Sequence, residues 1–191
     1  MYRLYLFFYS FKYKVFNFIK FIFFKIKIEK NTKINGSLFL KGRGSIEIGK
    51  NVIINSSYLF NPIGSFGFTS LVVEKDAKLT IKDNVGLSNS AIYCRKSIII
   101  EEFVLIGGGC KIYDTDFHSM YIKDRKNRPE TGVKSAEVLI CSGAFIGAGS
   151  VILKGVTVGK NAVIGAGSIV SKNVPSNEIW AGNPAKFIKN I

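Results

Sequence analysis

Only one histidine, His118, occurs in 191 residues, alongside three cysteines, four prolines and one tryptophan. A zinc site built from three histidines therefore needs three copies meeting on an axis, which disfavours most hydrolytic metal chemistry. Cys94, Cys110 and Cys141 cannot all pair within one chain and show no CxxC or Cys/His spacing. They read as reduced, small core residues of a cytoplasmic protein, and no metal site is expected. Acidic residues are also scarce, 13 against 27 Lys and Arg, leaving a net charge of +14. Such a charge suggests nucleic acid, an anionic membrane or an anionic cofactor. The abundance of Lys, Asn, Ile and Phe fits compositional drift equally well. No recognition helix or basic-aromatic motif stands outside residues 1–30, so nucleic acid is not the expected partner. The length accommodates one sizeable core with small appendages.

Long uninterrupted apolar runs are missing too. In the opening MYRLYLFFYSFKYKVFNFIKFIFFKIKI the longest charge-free stretch runs from Leu4 to Phe11, too short to span a bilayer. Lysines break what would be a secretory signal, and no small-residue cleavage site follows. The segment nevertheless holds nearly half of the chain's aromatic residues and seven basic residues up to Lys30, with Glu29 the one acid. At about 100° per residue, Leu4, Phe8, Phe11, Val15, Phe18, Ile19, Ile22 and Ile26 form one stripe; Arg3 and the lysines from Lys12 to Lys27 lie off it. An amphipathic helix is expected over residues 1–27. Two destinations remain open for its stripe: internal packing against its own domain or a neighbouring subunit, or peripheral contact with an anionic membrane at the cytoplasmic face.

What the sequence has in quantity is a six-residue period. From residue 140 it reads ICSGAF, IGAGSV, ILKGVT, VGKNAV, IGAGSI, VSKNVP. Branched aliphatics stand at Ile140, Ile146, Ile152, Val158, Ile164 and Val170; Ala144, Ser150, Val156, Ala162, Ser168 and Val174 follow four places later. Neither a helix nor a flat strand produces this spacing, whereas a solenoid turning a corner every six residues does. Three hexapeptides make a triangular coil whose strands stack about 4.8 Å apart, the aliphatic pointing inward. Corner residues such as Gly49-Lys50-Asn51, Lys82-Asp83-Asn84 and Gly159-Lys160-Asn161 suit left-handed backbone angles. The period continues upstream through Ile28, Ile34, Leu40 and Ile46, through Val73 and Leu79, through Ile81, Leu87 and Tyr93, and through Ile100, Ile106 and Ile112. Residues 57–70 and 113–137 interrupt it as loops.

These repeats, with IGAGSVILKGVTVGKNAVIGAGSIVSKNVP followed by AGNPAK, resemble the hexapeptide-repeat acyltransferases, and IGGGCKIYDTDFHSM is similar to their sugar O-acetyltransferase branch. The resemblance covers residues from about 28 to 191. It implies an all-β fold, a left-handed parallel β-helix over 28–175 carrying a loop at 113–137, with a C-terminal tail at 176–191. The left hand comes from the resemblance alone, since parallel crossovers ordinarily turn right-handed. The implied activity is transfer of acetyl from acetyl-CoA to a sugar hydroxyl, within surface polysaccharide (capsule or lipopolysaccharide) synthesis, by a homotrimer with sites between subunits.

On that resemblance His118 is the general base, an imidazole suited to taking a proton from an alcohol near neutral pH. Asp114 or Asp116 would orient the ring, unless they are solvated turn residues. The backbone amide of Ala148 would meet the oxyanion. The cofactor would run past Ala148, Ala166, Ser171 and Lys172 toward Lys186 and Lys189, with Trp180 covering the nucleotide or capping the prism. Asn89, with Ser88 and Asp114 near it, is the candidate for binding the acceptor sugar. Competing readings are N-acetylation of a nucleotide-linked amino sugar and a non-catalytic β-helix used in assembly. A γ-type carbonic anhydrase shares the fold but draws on more histidines than this chain holds.

Overall fold

A computed structural model describes residues 2–62, 67–127 and 129–191, giving only the backbone for residues 2–8 and Ser10. Residues 63–66 of the first predicted loop, Arg128 of the second, and the side chains of Arg3, Leu4 and Phe8 lie outside the described residues. The six-residue period becomes three parallel sheets that form the sides of a triangular prism. One side steps from Lys27–Ile28 to Thr157–Val158, the second from Lys33–Gly36 to Glu178–Gly182, and the third from Phe39–Gly42 to Ile169–Val170. The C-terminal residues fold back as a strand, Ala185–Asn190, antiparallel to Glu178–Gly182.

Stacking in register places like residues in ladders inside the prism. Ile34, Ile54, Leu87, Ile106, Ile146 and Ile164 line one side. Leu40, Leu71, Ile92, Ile112, Ile152 and Val170 line another. The second inner positions, Ala144, Ser150, Val156, Ala162, Ser168 and Val174, are buried as well. Each buried aliphatic contributes about 1.5–3 kcal/mol, so the repeat is itself the core. Corner asparagines adopt the expected left-handed angles, with φ of 55° at Asn51, 60° at Asn84 and 57° at Asn161. They also hydrogen-bond from coil to coil, Asn51 to Asn84 at 3.1 Å and Asn161 to Asn177 at 3.0 Å.

Register departs from the sequence reading in two places. Ile48, not Ile46, stands in line with Ile28, although Ile46 is also buried. Tyr93 is not an inner residue: Ile92 fills the ladder and Tyr93 points out of the prism. The corner Ser88-Asn89-Ser90 is one residue short, because Asn89 takes a left-handed angle (φ 42°) and reverses the chain early.

The helix Tyr2–Phe23 lies over the first coil. Its approach is governed by the open strand edge beneath it, whose backbone groups need polar partners. Asn17 is buried and supplies two: its Nδ2 donates to the Gly36 carbonyl at 2.8 Å and its Oδ1 accepts from the Leu38 N–H at 3.2 Å. Lys20 Nζ donates to the Leu38 carbonyl at 2.6 Å, and burial pushes its ammonium pKa down. Phe21, Phe24 and Ile26 pack on the core from the same face. The predicted stripe therefore turns away from the prism. Phe11, Val15, Phe18, Ile19 and Ile22 are between 46% and 64% exposed, and only Ile26 of the described stripe packs inward. Among the described residues no helix is long and apolar enough to cross a membrane.

Candidate active site

The second interruption leaves the strand Lys111–Tyr113 and re-enters the prism at Val138–Ile140, between the third and first sides. Its neck is closed by an antiparallel bridge between Thr115 and Ser135, and by the Asp116 N–H donating to the Lys134 carbonyl at 3.0 Å. Beyond the neck Phe117 takes a left-handed angle, φ 63°, and the His118 N–H closes the turn on the Asp116 carbonyl at 2.7 Å. A phenylalanine pays about 1–2 kcal/mol for that conformation. Edge-to-face contacts offset it, with ring centroids 4.8 Å from Tyr93 and 5.0 Å from Tyr113. Tyr93, displaced outward by the short corner, thereby becomes part of the seat for this turn. Its hydroxyl donates to Glu74 at 2.6 Å, and burial, ahead of that carboxylate, pushes its pKa up to about 12.

The turn delivers His118 to the surface with its side chain 73% exposed. Nδ1 lies 2.8 Å from Glu130 Oε2, and Glu130 Oε1 accepts the Ser119 N–H at 2.7 Å. Hydrogen bonding to His118, followed by that to Ser119, holds the Glu130 carboxyl below the usual carboxylate range. An ionised carboxylate only accepts, so the proton of the neutral ring sits on Nδ1 and Nε2 keeps its lone pair outward. Ser119 Oγ donates to Asp124 at 2.9 Å and Arg125 Nη1 donates to the Ser119 carbonyl at 2.6 Å, bracing the loop from the short helix Ile122–Arg125.

Neither predicted aspartate orients the imidazole in this chain. Asp114 is 0% exposed and accepts from the backbone N–H groups of Arg95, Lys96 and Ser97 at 2.7, 2.7 and 2.8 Å. It is a structural anchor for that corner rather than a group open to a sugar. Burial, reinforced by its charge, pushes the neighbouring Cys94 thiol up. Asp116 instead forms an ion pair with Lys154 at 2.8 Å, tying the neck to the next coil. Glu130 was missed because the interruption holds several acids and no periodicity ranks them. Only the fold of the loop brings residue 130 back to residue 118.

Ala148 and Ala166 occupy exposed corners on successive coils between the second and third sides, and the Gly167 N–H donates to the Ala148 carbonyl at 2.8 Å. The corners approach closely: a Cβ on Gly107 would stand 2.6 Å from the Ala148 nitrogen, and one on Gly147 2.5 Å from the Ala166 nitrogen. Within one chain these corners and the His118 loop leave from opposite ends of the third side, so the structure does not join them. Ser171, Lys172, Trp180 and Lys186 do meet, lining a cavity of about 360 Å³ with Pro184 and Phe187. Trp180 stands in line with Ile164 and packs against the core while also walling that cavity; its Nε1 donates to Glu178 at 2.7 Å. Lys189 lies on the same outer strand of the hairpin as Lys186 and Phe187 but does not line this cavity. Asn89 and Ser88 are buried. Asn89 Nδ2 donates to the Asn61 carbonyl at 3.3 Å and Ser88 Oγ accepts from Asn55 at 3.2 Å. A larger cleft of about 590 Å³ lies elsewhere, between Lys27, Glu47, Lys82 and Phe103. Within it Lys27 pairs with Glu47 at 3.2 Å and Lys82 with Glu102 at 3.8 Å, and it contains none of the candidate site residues described above.

Residues 137–172 match the model of the bacterial transferase hexapeptide (six repeats). The chain superimposes with a TM-score of 0.72 on AntD, an N-acyltransferase from Bacillus cereus solved with dTDP and coenzyme A, at 23% identity over 91% of this chain and 87% of that one. The fold is thus the left-handed parallel β-helix of the hexapeptide-repeat acyltransferases. Among curated proteins, gamma carbonic anhydrase 2 of Arabidopsis thaliana mitochondria is 50% identical over 50 residues, 25% of this chain and 18% of its own length. Protein CapG of Staphylococcus aureus is 52% identical over 67 residues, 35% of this chain and 38% of its own. The chain thus spans well under half the length of both relatives.

Proposed function

We propose that the chain is an acyltransferase that moves acetyl from the thioester of acetyl-CoA to a sugar hydroxyl destined for a surface polysaccharide. The observation that carries this reading is the exposed imidazole of His118, held at Nδ1 by Glu130 with Nε2 left to act. His118 Nε2 takes the proton of the acceptor hydroxyl as its oxygen bonds to the thioester carbon. The Ala148 N–H donates to the oxyanion of the tetrahedral intermediate. When the C–S bond breaks, His118 returns the proton to the departing thiolate. Glu130 stabilises the intervening imidazolium and keeps the ring from rotating. The cavity at the C-terminal hairpin suits the nucleotide end of the donor, with Trp180 and Phe187 offering flat faces and Lys172 and Lys186 offering charge to phosphates.

His118 and Ala148 leave from different corners of one prism, which supports a homotrimer in which the base of one chain faces the Ala148 corner of the next. A second reading, N-acylation of a nucleotide-linked amino sugar, is favoured by the likeness to AntD. A carbonic anhydrase reading is disfavoured by the sequence, which offers one histidine, His118, per chain.

The test measures thiol release from acetyl-CoA with hydroxyl and amino sugar acceptors. His118→Ala lowers turnover about 10²–10⁴-fold to a measurable residual rate, with melting temperature unchanged. Ala148→Pro, which deletes the proposed donor just before the left-handed Gly149 (φ 72°) where a proline is tolerated, lowers kcat about 10²–10³-fold. Mixing the two impaired proteins under subunit exchange restores part of the activity if sites form between copies. Full turnover by His118→Ala overturns the reading, and transfer to amino acceptors alone selects the second one.

A further inference from the structure

The helix Tyr2–Phe23 sets Asn17, Lys20 and Phe21 against the prism and turns a continuous apolar stripe outward, the reverse of a helix that serves only as a cap. Asn17 and Lys20 are committed to the first coil's backbone, while Phe11, Val15, Phe18, Ile19 and Ile22 face away from it. Lys12 and Lys14 flank this stripe, and the helix sequence contains no acidic residue. Two clefts adjoin its C-terminal end. One, of about 410 Å³, lies between Phe18, Phe21, Ile22 and Ile28 with Lys25 at its rim. The other, of about 570 Å³, is lined by Phe23, Phe24, Lys25 and Arg43 beside the backbone of Gly42 and Gly44. Neither Lys25 nor Arg43 forms a salt bridge among the described residues.

We infer that this end of the prism is a docking surface for an anionic phospholipid bilayer. The stripe enters the acyl boundary, and Lys12, Lys14, Lys25 and Arg43 meet headgroup phosphates. Charge complementarity selects this occupant over a second copy of the chain. Two such helices face to face would bring lysines together with no carboxylate between them, whereas an anionic leaflet supplies the missing charge along the whole stripe. The surface is remote in sequence and position from His118, so lipid binding and acyl transfer are read independently, and failure of one leaves the other standing.

The test is co-sedimentation of the full chain with vesicles of phosphatidylcholine, with and without phosphatidylglycerol. Binding is expected to the anionic vesicles and to weaken with salt. Lys12→Gln, Lys14→Gln and Lys25→Gln each reduce it about fivefold. Val15→Glu with Ile19→Glu, both outward-facing, reduces it roughly tenfold or more, with thermal melt and sedimentation coefficient unchanged. Phe11→Ser replaces the double variant should that melt early. Absence of wild-type binding to anionic vesicles overturns the inference, as does wild-type binding by the double variant. A fall in oligomer size caused by the double variant also overturns it, because the stripe would then be a contact between copies.

Discussion

Replacing Phe117 by alanine should unseat the loop that carries His118 without disturbing the prism. The Phe117 ring is 38% exposed and sits against Tyr93 and Tyr113. A phenylalanine of about 200 Å² with some three-fifths covered buries roughly 120 Å², or about 3 kcal/mol at 25 cal/mol per Å². Compactness of the unfolded chain reduces this to about 2 kcal/mol. The two edge-to-face contacts add about 0.5–1.5 kcal/mol each. Alanine keeps the left-handed strain and loses what offsets it, so the turn is destabilised by about 3 kcal/mol, on the order of a hundredfold in a local opening equilibrium. Hydrogen exchange with mass spectrometry reads this directly. Amides of residues 115–135 exchange about a hundred times faster, while those of the buried ladders at 138–170 keep their wild-type rates. Turnover falls because the ring of His118 is no longer held beside Glu130. Phe117→Gly, which removes the strain together with the ring, exchanges more slowly than Phe117→Ala. Unchanged exchange in Phe117→Ala would show that the neck bridge and the Asp116–Lys154 pair hold the loop unaided, and would refute the reasoning.

Glu130→Gln offers one acceptor oxygen where the carboxylate offers two, so either Nδ1 of His118 or the Ser119 N–H loses its partner. We expect kcat to fall about 10–100-fold with the KM for acetyl-CoA unchanged, and no further loss when the change is combined with His118→Ala. Additive losses in that double variant would exclude action through the imidazole. Phe103 occupies a left-handed corner at φ 60°, and Phe103→Asn should raise stability by about 1 kcal/mol, measured by denaturant unfolding. Tyr93 is held protonated in the fold, its pKa raised to about 12. Its contribution is therefore fully present below the ordinary tyrosine value near 10 and is lost as pH rises through about 12. The stability difference between wild type and Tyr93→Phe should be constant to about pH 10 and shrink above it; a flat difference across that window would show that burial and the Glu74 hydrogen bond do not hold Tyr93 protonated.

The prism was legible in the sequence because its period is the core: every sixth aliphatic from Ile140 to Val170 lands in a ladder, and local spacing suffices to place it. Tyr93 was misplaced because a single omitted residue at Asn89 changes which of two adjacent hydrophobic residues, Ile92 or Tyr93, points inward, and hydrophobicity cannot distinguish them. Glu130 was invisible for a related reason. Loop residues obey no period, and the return of residue 130 to His118 depends on the bridge at Thr115 and Ser135.

Helical periodicity likewise determined that residues 4–26 have one apolar face, and composition determined that basic residues flank it. Which way that face points was decided only in three dimensions. The first coil leaves backbone groups of Gly36 and Leu38 that Asn17 and Lys20 satisfy, and a helix that turns these two residues to the prism turns Phe11, Val15, Phe18, Ile19 and Ile22 away from it.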